Sequence, residues 1–187
     1  MHDAPPAQTR RKGTRSALLA AFRELVLTRR YRELKVSQVI ARAGVARSTF
    51  YAHFGNKDEL LMAGVAEPLA ALADAVQPDA KLDDLASALQ HMWENRGVAR
   101  SLLAGPLRTP LARLLTDMIE RRLRPTSVGT PSEAPVRLIA RHIAGAQLAI
   151  LLAWVSGEAS CSSRELAAVI RSMTQGGLSA LAASPAS

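Results

Sequence analysis

The chain has 187 residues, 48% of them apolar, enough to bury the core of one large or two small domains and too many for a disordered chain. Residues 1–60 carry 12 basic and 5 acidic side chains (+7), whereas residues 61–187 carry 12 and 11 (+1). Excess charge gathered in the first third points either to a polyanionic partner or to plain solubility charge, and composition leaves both open. A lone cysteine, Cys161, excludes an intrachain disulfide scaffold. The opening MHDAPPAQTRRKGTR has no apolar stretch after its charges and is not a signal peptide. The longest apolar run, residues 143–155, is interrupted by Gln147 and falls short of the roughly 20 residues that span a bilayer. A soluble, cytoplasmic chain with no membrane partner is expected.

Nearly every segment reads with helical period, and no convincing alternating strand or internal repeat is found. Residues 1–13 form a polar, basic, disordered tail ending in Arg10, Arg11 and Lys12. A first helix is expected from Thr14 to near Arg29, with Leu18, Ala21, Phe22 and Leu25 at three- and four-residue steps. A second opens with Ser37 as N-cap and stops at Gly44, which can take the positive φ of a tight turn. A short third helix covers residues 47–53. Asn56-Lys57-Asp58-Glu59 then reads as a cap with an acidic third position, opening a fourth helix to about Val76. Further helices are expected over residues 82–95, 98–103, 110–124, 134–156 and 164–181. Pro110 suits a first helical position, Ser162 and Glu165 form a capping-box pair, and residues 125–133 form a loop. The fold class is all-α with about nine helices.

Two short helices joined by a Gly-containing turn, VSQVIARAGVARSTFYAHF over residues 36–54, form a helix-turn-helix pattern. The second helix is short enough to lie in a major groove. Arg47 can fork onto guanine O6 and N7 or bind a phosphate, and the short hydroxyls of Ser48 and Thr49 fit close to backbone or bases. Lys57 sits in the first turn of the fourth helix, beside N–H groups already favourable to phosphate, and Ser37 can hold a phosphate at the second helix. Phe50 and Phe54 are read as core. The cluster Arg10, Arg11, Lys12 and Arg15 is either a minor-groove arm or a solvated tail.

The stretch AGVARSTFYAHFGNKDELL resembles the DNA-binding motif of the TetR family of transcriptional regulators. Ala43, Gly44, Val45, Thr49, Phe50, Tyr51, His53, Phe54, Lys57, Glu59 and Leu60 match its pattern in order, and the resemblance covers residues 14–62. It implies a helix-turn-helix domain over residues 14–56 and a ligand-binding and dimerisation domain over residues 57–187. It further implies a homodimeric repressor that binds a palindromic double-stranded operator and is released by a small-molecule effector, with Tyr51 and His53 on phosphates. Three positions depart from the pattern: Ala46 replaces a Ser N-cap, Ile40 a small Ala, and Arg30 a Gly at the end of the first helix. They bear on docking angle, since none removes an expected DNA contact.

In the near-neutral remainder, residues 134–156 are apolar nearly all round over their second half, so both faces need cover. Gly145, Ala149 and Ala153, with Leu148 and Leu152 beside them, form a small-residue stripe suited to a twofold contact. Leu166, Val169, Ile170 and Met173 on the last helix form a second candidate dimer stripe. Ile143, Gln147, Ile150 and Trp154 lie opposite the first stripe. The candidate pocket set is Met92, Trp93, Met118, His142, Gln147 and Trp154, which combines adaptable apolar walls with a few polar groups. Plain internal packing is the alternative for each stripe, and the two face assignments can be reversed. The four His residues are scattered, and no HExxH, paired-Cys site, Gly-rich phosphate loop or G-x-S-x-G is present. No catalysis, metal or cofactor is therefore expected. The rival to an effector-released repressor is a DNA-binding regulator controlled by a protein partner.

Overall fold

A computed structural model describes residues 7–28, 31–124 and 133–183. Expectations for residues 1–6, for Arg30 and for the loop at 125–132 lie outside these. The described residues form nine α-helices, α1 (Ala7–Thr28), α2 (Val36–Ala43), α3 (Arg47–Tyr51), α4 (Lys57–Asp74), α5 (Leu82–Glu94), α6 (Arg96–Ala104), α7 (Arg108–Leu123), α8 (Glu133–Ser156) and α9 (Ser163–Ala183), plus a 3-10 turn at Tyr31–Glu33. The fold is all-α, as the periodicity required.

The chain divides into two compact units, Met1–Ala66 and Glu67–Ser187, with the division inside α4. This is later than the boundary at residue 57 expected from the sequence. It lies further along because Leu60 and Leu61, in the first turns of α4, are fully buried and Gly64 lies against Phe22 and Leu19 of α1. The first turns of α4 thus complete the N-terminal core. A second correction concerns the tail. Residues 7–13 are helical and continue α1 upstream of Thr14, since AQTRRK holds no residue that breaks a helix and Gly13 in a helix interior costs only about 1 kcal/mol against Ala.

In the N-terminal unit Leu18, Ala21, Phe22 and Val26 of α1, Leu34, Val39 of α2, Phe50 and Phe54 form the core. Helix α2 packs on both α1 and α3. It starts at Val36, one residue before the expected cap. Ser37 therefore lies in the first turn and does not cap. The Lys35 N–H is instead met by the Gln38 Oε1 at 2.9 Å. At its other end Gly44 takes φ 64° and donates its N–H to Ala41, closing the turn that sets α3 across α2. No side chain caps α3 at Ala46.

In the C-terminal unit α8 packs on α6 and α7, and α9 packs on α5. Pro110 is the third residue of α7, which begins two residues earlier than expected. The capping box before α9 forms as read. The Glu165 carboxylate accepts the Ser162 N–H at 2.8 Å, and the Ser162 hydroxyl accepts the Glu165 N–H at 3.2 Å. The 21-residue stretch Val136–Ser156 contains an 18-residue window of mean hydropathy 1.6, so by length and composition alone α8 reaches a bilayer span, although its longest apolar run is shorter. Its stripe Ala140, Ile143, Ala144, Leu148, Leu151 and Val155 is buried within the unit, as a core helix of a folded domain requires.

Candidate nucleic-acid interface and effector region

The five residues of α3 divide cleanly. Phe50 is fully buried and stacks edge-on to Tyr51 and obliquely on Phe54, which is buried as well. These two anchors leave Arg47, Ser48 and Tyr51 exposed and Thr49 half-buried. The Arg47 guanidinium lies 5.6 Å from the Tyr51 ring centroid, and at i, i+4 the two share one outward edge of the helix. His53 is half-buried beside Phe54. Ser37 is exposed at the start of α2. Arg15 of α1 lies over the Phe54 ring at 4.8 Å, which brings a basic residue of the first helix to the end of the recognition segment, while Arg11 and Lys12 are also exposed. The result is an edge with cations and hydroxyls but no carboxylate on α3, held by aromatic packing behind it. Such an edge can donate to phosphates and to acceptor atoms of bases.

Lys57 makes its contacts within the N-terminal unit. Its ammonium donates to the carbonyls of Tyr31 at 3.0 Å and Leu34 at 2.9 Å and lies 4.4 Å from the Tyr31 ring centroid. The Tyr31 hydroxyl donates to the Asp58 carboxylate. Burial, reinforced by that carboxylate, pushes the Tyr31 phenol far above the ordinary tyrosine range. The entry to α4 forms as read, with Asn56 Oδ1 accepting the Glu59 N–H at 2.9 Å and Glu59 Oε2 accepting the Gly55 N–H at 2.8 Å. A Cβ on residue 55 would meet the Glu59 carboxylate at 2.9 Å, a contact that a small shift of that flexible side chain relieves. None of the contacts from Tyr31 and Leu34 to α4 has a local sequence signal, because the partners are 23 to 27 residues apart.

In the C-terminal unit the candidate effector residues separate into an inner and an outer group. Gln147, Trp154 and Met118 are buried, Met92 and Trp93 are half-buried, and the Trp93 and Trp154 rings stack obliquely at 4.8 Å. His142 is exposed and belongs to the opposite face of α8, because it precedes Gly145 and Ala149 at steps of three and four. Gln147 Nε2 donates to the Leu72 carbonyl of α4 at 3.2 Å, while its Oε1, also buried, has no hydrogen-bond partner among the described residues. Trp154 Nε1 donates to the Cys161 carbonyl at 2.9 Å. Arg122 ties the end of α4 to α7 through Asp74 at 2.5 Å and the Ala70 carbonyl at 3.4 Å. The guanidinium of Arg124, joined by Arg137, holds Glu120 below the ordinary carboxylate range.

The candidate dimer stripes also divide. Gly145, Ala149, Val169 and Met173 are exposed, and Leu152 and Ala153 are half-buried. Leu148, Leu166 and Ile170 are interior residues of the unit and are unavailable to a partner chain. On each helix the outward stripe lies one residue away from these three. Leu138 and Leu181 are exposed as well and extend the two stripes, a continuation legible in the steps 138, 142, 145, 149 and 169, 173, 177, 181.

Residues 18–63 match the family model for bacterial regulatory proteins of the tetR family. No curated protein sequence shows a significant match. Solved structures share the fold over nearly the whole chain. The dihydroxyacetone kinase operon activator DhaS aligns with TM-score 0.55 at 21% identity, covering 89% of this chain and 97% of its own. A TetR transcriptional regulator from Streptococcus agalactiae aligns with TM-score 0.54 at 22% identity, covering 89% and 96%. The repressor FadR from Thermus thermophilus, in complex with lauroyl-CoA, aligns with TM-score 0.53 at 18% identity, covering 88% and 94%. The helix-turn-helix built as described thus matches the tetR-family model over residues 18–63, and the solved structures share the fold of the chain as a whole.

Proposed function

We propose that this regulator acts as a homodimeric repressor in the cytoplasm, binding a palindromic operator through α3 and leaving it when a small molecule enters the C-terminal unit. It acts by binding, with no catalytic step. The observation that carries the DNA-binding half is the divided α3, with Phe50 and Phe54 anchored in the core and Arg47, Ser48 and Tyr51 turned outward. In this reading Arg47 takes a guanine edge or a phosphate, Ser48 and Thr49 lie against bases or backbone, and Tyr51, His53 and Ser37 hold phosphates. Two copies would place their recognition helices about 34–36 Å apart, one turn of DNA, or at a related spacing where two dimers share an operator.

The exposed apolar side chains on α8 and α9 support the dimer. A symmetric partner would cover Leu138 and Ala149 on one helix and Val169, Met173 and Leu181 on the other. Gln147 supports the effector. The Leu72 carbonyl can only accept, so it fixes the amide nitrogen and leaves Oε1 as a buried acceptor that calls for a hydroxyl or N–H donor. Leu72 lies in the last turn of α4, the helix that begins in the DNA-binding unit. A donor bound at Gln147 would therefore act on α4, and its different affinity for two positions of that helix would set operator affinity. FadR, a repressor of the same fold in complex with lauroyl-CoA, is consistent with small-molecule control.

The test begins by selecting duplexes from a random-sequence pool with the full-length protein. Enrichment of an inverted repeat is expected, and an unstructured pool would refute operator binding. Small molecules are then screened for release of the selected duplex and for a change in Trp93 and Trp154 fluorescence. A compound that does both is expected to carry a hydroxyl or N–H donor. Release that survives Gln147→Leu would refute the role of Gln147.

A further inference from the structure

Helix α4 runs unbroken from Lys57 to Asp74 with Pro68 in its interior. We propose that Gly64 and Pro68 make a compliant step in α4, at which the helix bends when its last turns are drawn toward an effector. The straight helix belongs to the operator-binding form and the bent helix to the released form. This inference rests on the reading of Gln147 as an effector-binding group.

A proline nitrogen carries no hydrogen, so the helix ladder supplies no donor from Pro68 to the Gly64 carbonyl, and the proline ring crowds that same carbonyl. Proline inside a helix is among the few physical causes of a sharp bend. Glycine at 64 weakens the same turn further. Packing does not demand it, since a Cβ there would meet the Phe22 and Leu19 side chains at 3.7 and 3.9 Å, ordinary contact distances. On either side of the step the helix is held. Upstream, Leu60 and Leu61 are buried in the N-terminal core. Downstream, Leu69, Leu72 and Ala73 are buried, and side chains of α7 and α8 bind the last turns. Arg122 of α7 donates to the Asp74 carboxylate at 2.5 Å and to the Ala70 carbonyl at 3.4 Å. Gln147 of α8 donates to the Leu72 carbonyl at 3.2 Å, which also accepts the Ala75 N–H at 3.3 Å. The boundary between the two compact units falls between Ala66 and Glu67, inside the step. One helix thus carries two anchored segments, and its weakest backbone turn lies between them. A pull on the Leu72 carbonyl is relieved at that turn, because bending there costs one ladder bond fewer than elsewhere and leaves both buried segments packed.

Two variants strengthen the helix at the step, Pro68→Ala and Gly64→Ala. Gly97→Ala in α6, where nothing lies within 4 Å of an added Cβ, strengthens a helix elsewhere and serves as control. The first measurement is amide hydrogen exchange on the free full-length protein, which needs no ligand. Pro68→Ala restores one helical hydrogen bond, so exchange at residues 69–71, whose ladder bonds span the step, should slow about fivefold or more. Leu89 of α5 should exchange as in wild type, and Gly97→Ala should leave both places unchanged. Unchanged exchange at 69–71, or equal slowing at Leu89, overturns the step. The second measurement uses the duplex that wild-type protein selects from a random pool and a compound that releases it. The compound concentration giving half release should rise about fivefold or more in both step variants, while affinity without compound stays within about twofold of wild type. Gly97→Ala should release as wild type does. Release at the wild-type concentration despite slowed exchange would show a soft turn that the response does not use, and overturns the proposal. If Pro68→Ala fails to fold, Gly64→Ala decides on both measurements by the same outcomes. If no compound releases the duplex, the effector reading fails, and exchange at 69–71 alone decides the step.

Discussion

The two units of this chain meet the same physical requirements in opposite ways. The N-terminal unit orders its functional edge with aromatic anchors and charge. Phe50 and Phe54 hold α3 from behind, and polar contacts among Lys57, Tyr31, Asp58, Asn56 and Glu59 fix the start of α4. The C-terminal unit is built from long helices with aliphatic faces, and its conspicuous polar feature is a single buried amide with one atom satisfied and one not. The first unit presents a finished surface to a partner whose shape is nearly constant. The second exposes apolar stripes and an unpaired acceptor, features that acquire meaning only with a second chain or a ligand. A surface that must recognise one polymer can be specified locally, whereas one that must respond has to be left incomplete.

Breaking the anchor behind the finished surface should have the largest effect. Phe50→Ala empties a fully buried site and should destabilise the N-terminal unit by about 3–5 kcal/mol, abolishing duplex binding. The dimer mass in ultracentrifugation should be unchanged, and loss of that mass would show that the units do not divide the labour as described. The reciprocal change, Val169→Asp with Met173→Asp, lies on exposed positions and should alter monomer stability by no more than about 0.5 kcal/mol for each position. It should convert dimer to monomer and weaken operator binding about 100-fold or more, since two half-sites would no longer be joined. A dimer that persists would move the interface off α9.

Smaller effects sharpen the contrast. Gln147→Leu removes the unpaired buried acceptor at the expense of one hydrogen bond to a carbonyl in the last turn of α4. The stability of the ligand-free protein should change by less than about 1 kcal/mol in thermal unfolding, while response to an effector is lost. A large destabilisation would mean that the amide is structural. At the start of α9 the Ser162 hydroxyl and then the Ser162 N–H hold Glu165 below the ordinary carboxylate range. A carboxylate whose folded pKa is depressed contributes stability that is complete above its unfolded pKa. That stability is lost as pH falls through the folded one. The unfolding temperature of the C-terminal unit should therefore drop below the ordinary glutamate range, and Glu165→Gln should shallow that drop. An unchanged acid limb would show that the cap adds nothing to stability.

How far the sequence could be read follows the same division. The helix-turn-helix was legible because its determinants lie within a few residues of one another. Gly44 had to take a positive φ, Asn56 and Glu59 had to cap one helix, and Phe50 and Phe54 had to face inward if Arg47 and Tyr51 faced out. The intramolecular contacts of Lys57 were not legible, because the carbonyls that accept from it lie more than 20 residues upstream. Along α8 and α9 the periodicity found both faces but mixed neighbours across their margins. Leu148, Leu166 and Ile170 went inward and His142 outward, since a difference of one residue, 100° of rotation, is decided by tertiary packing. Gln147 stood out by its residue type, yet only the Leu72 carbonyl revealed which of its two polar atoms is left over.

The central claim is that the outward edge of α3 reads duplex DNA. It is tested most directly by measuring affinity for a selected duplex across a salt series with wild-type protein and with Arg47→Ala plus Tyr51→Ala. Wild type should lose affinity steeply with salt, by about 0.9 in slope for each phosphate neutralised. The double variant should bind about 100-fold or more weakly while unfolding at the wild-type temperature, as two lost contacts of 1–3 kcal/mol each would give. A flat salt response, or a double variant that binds as wild type does, would contradict the account.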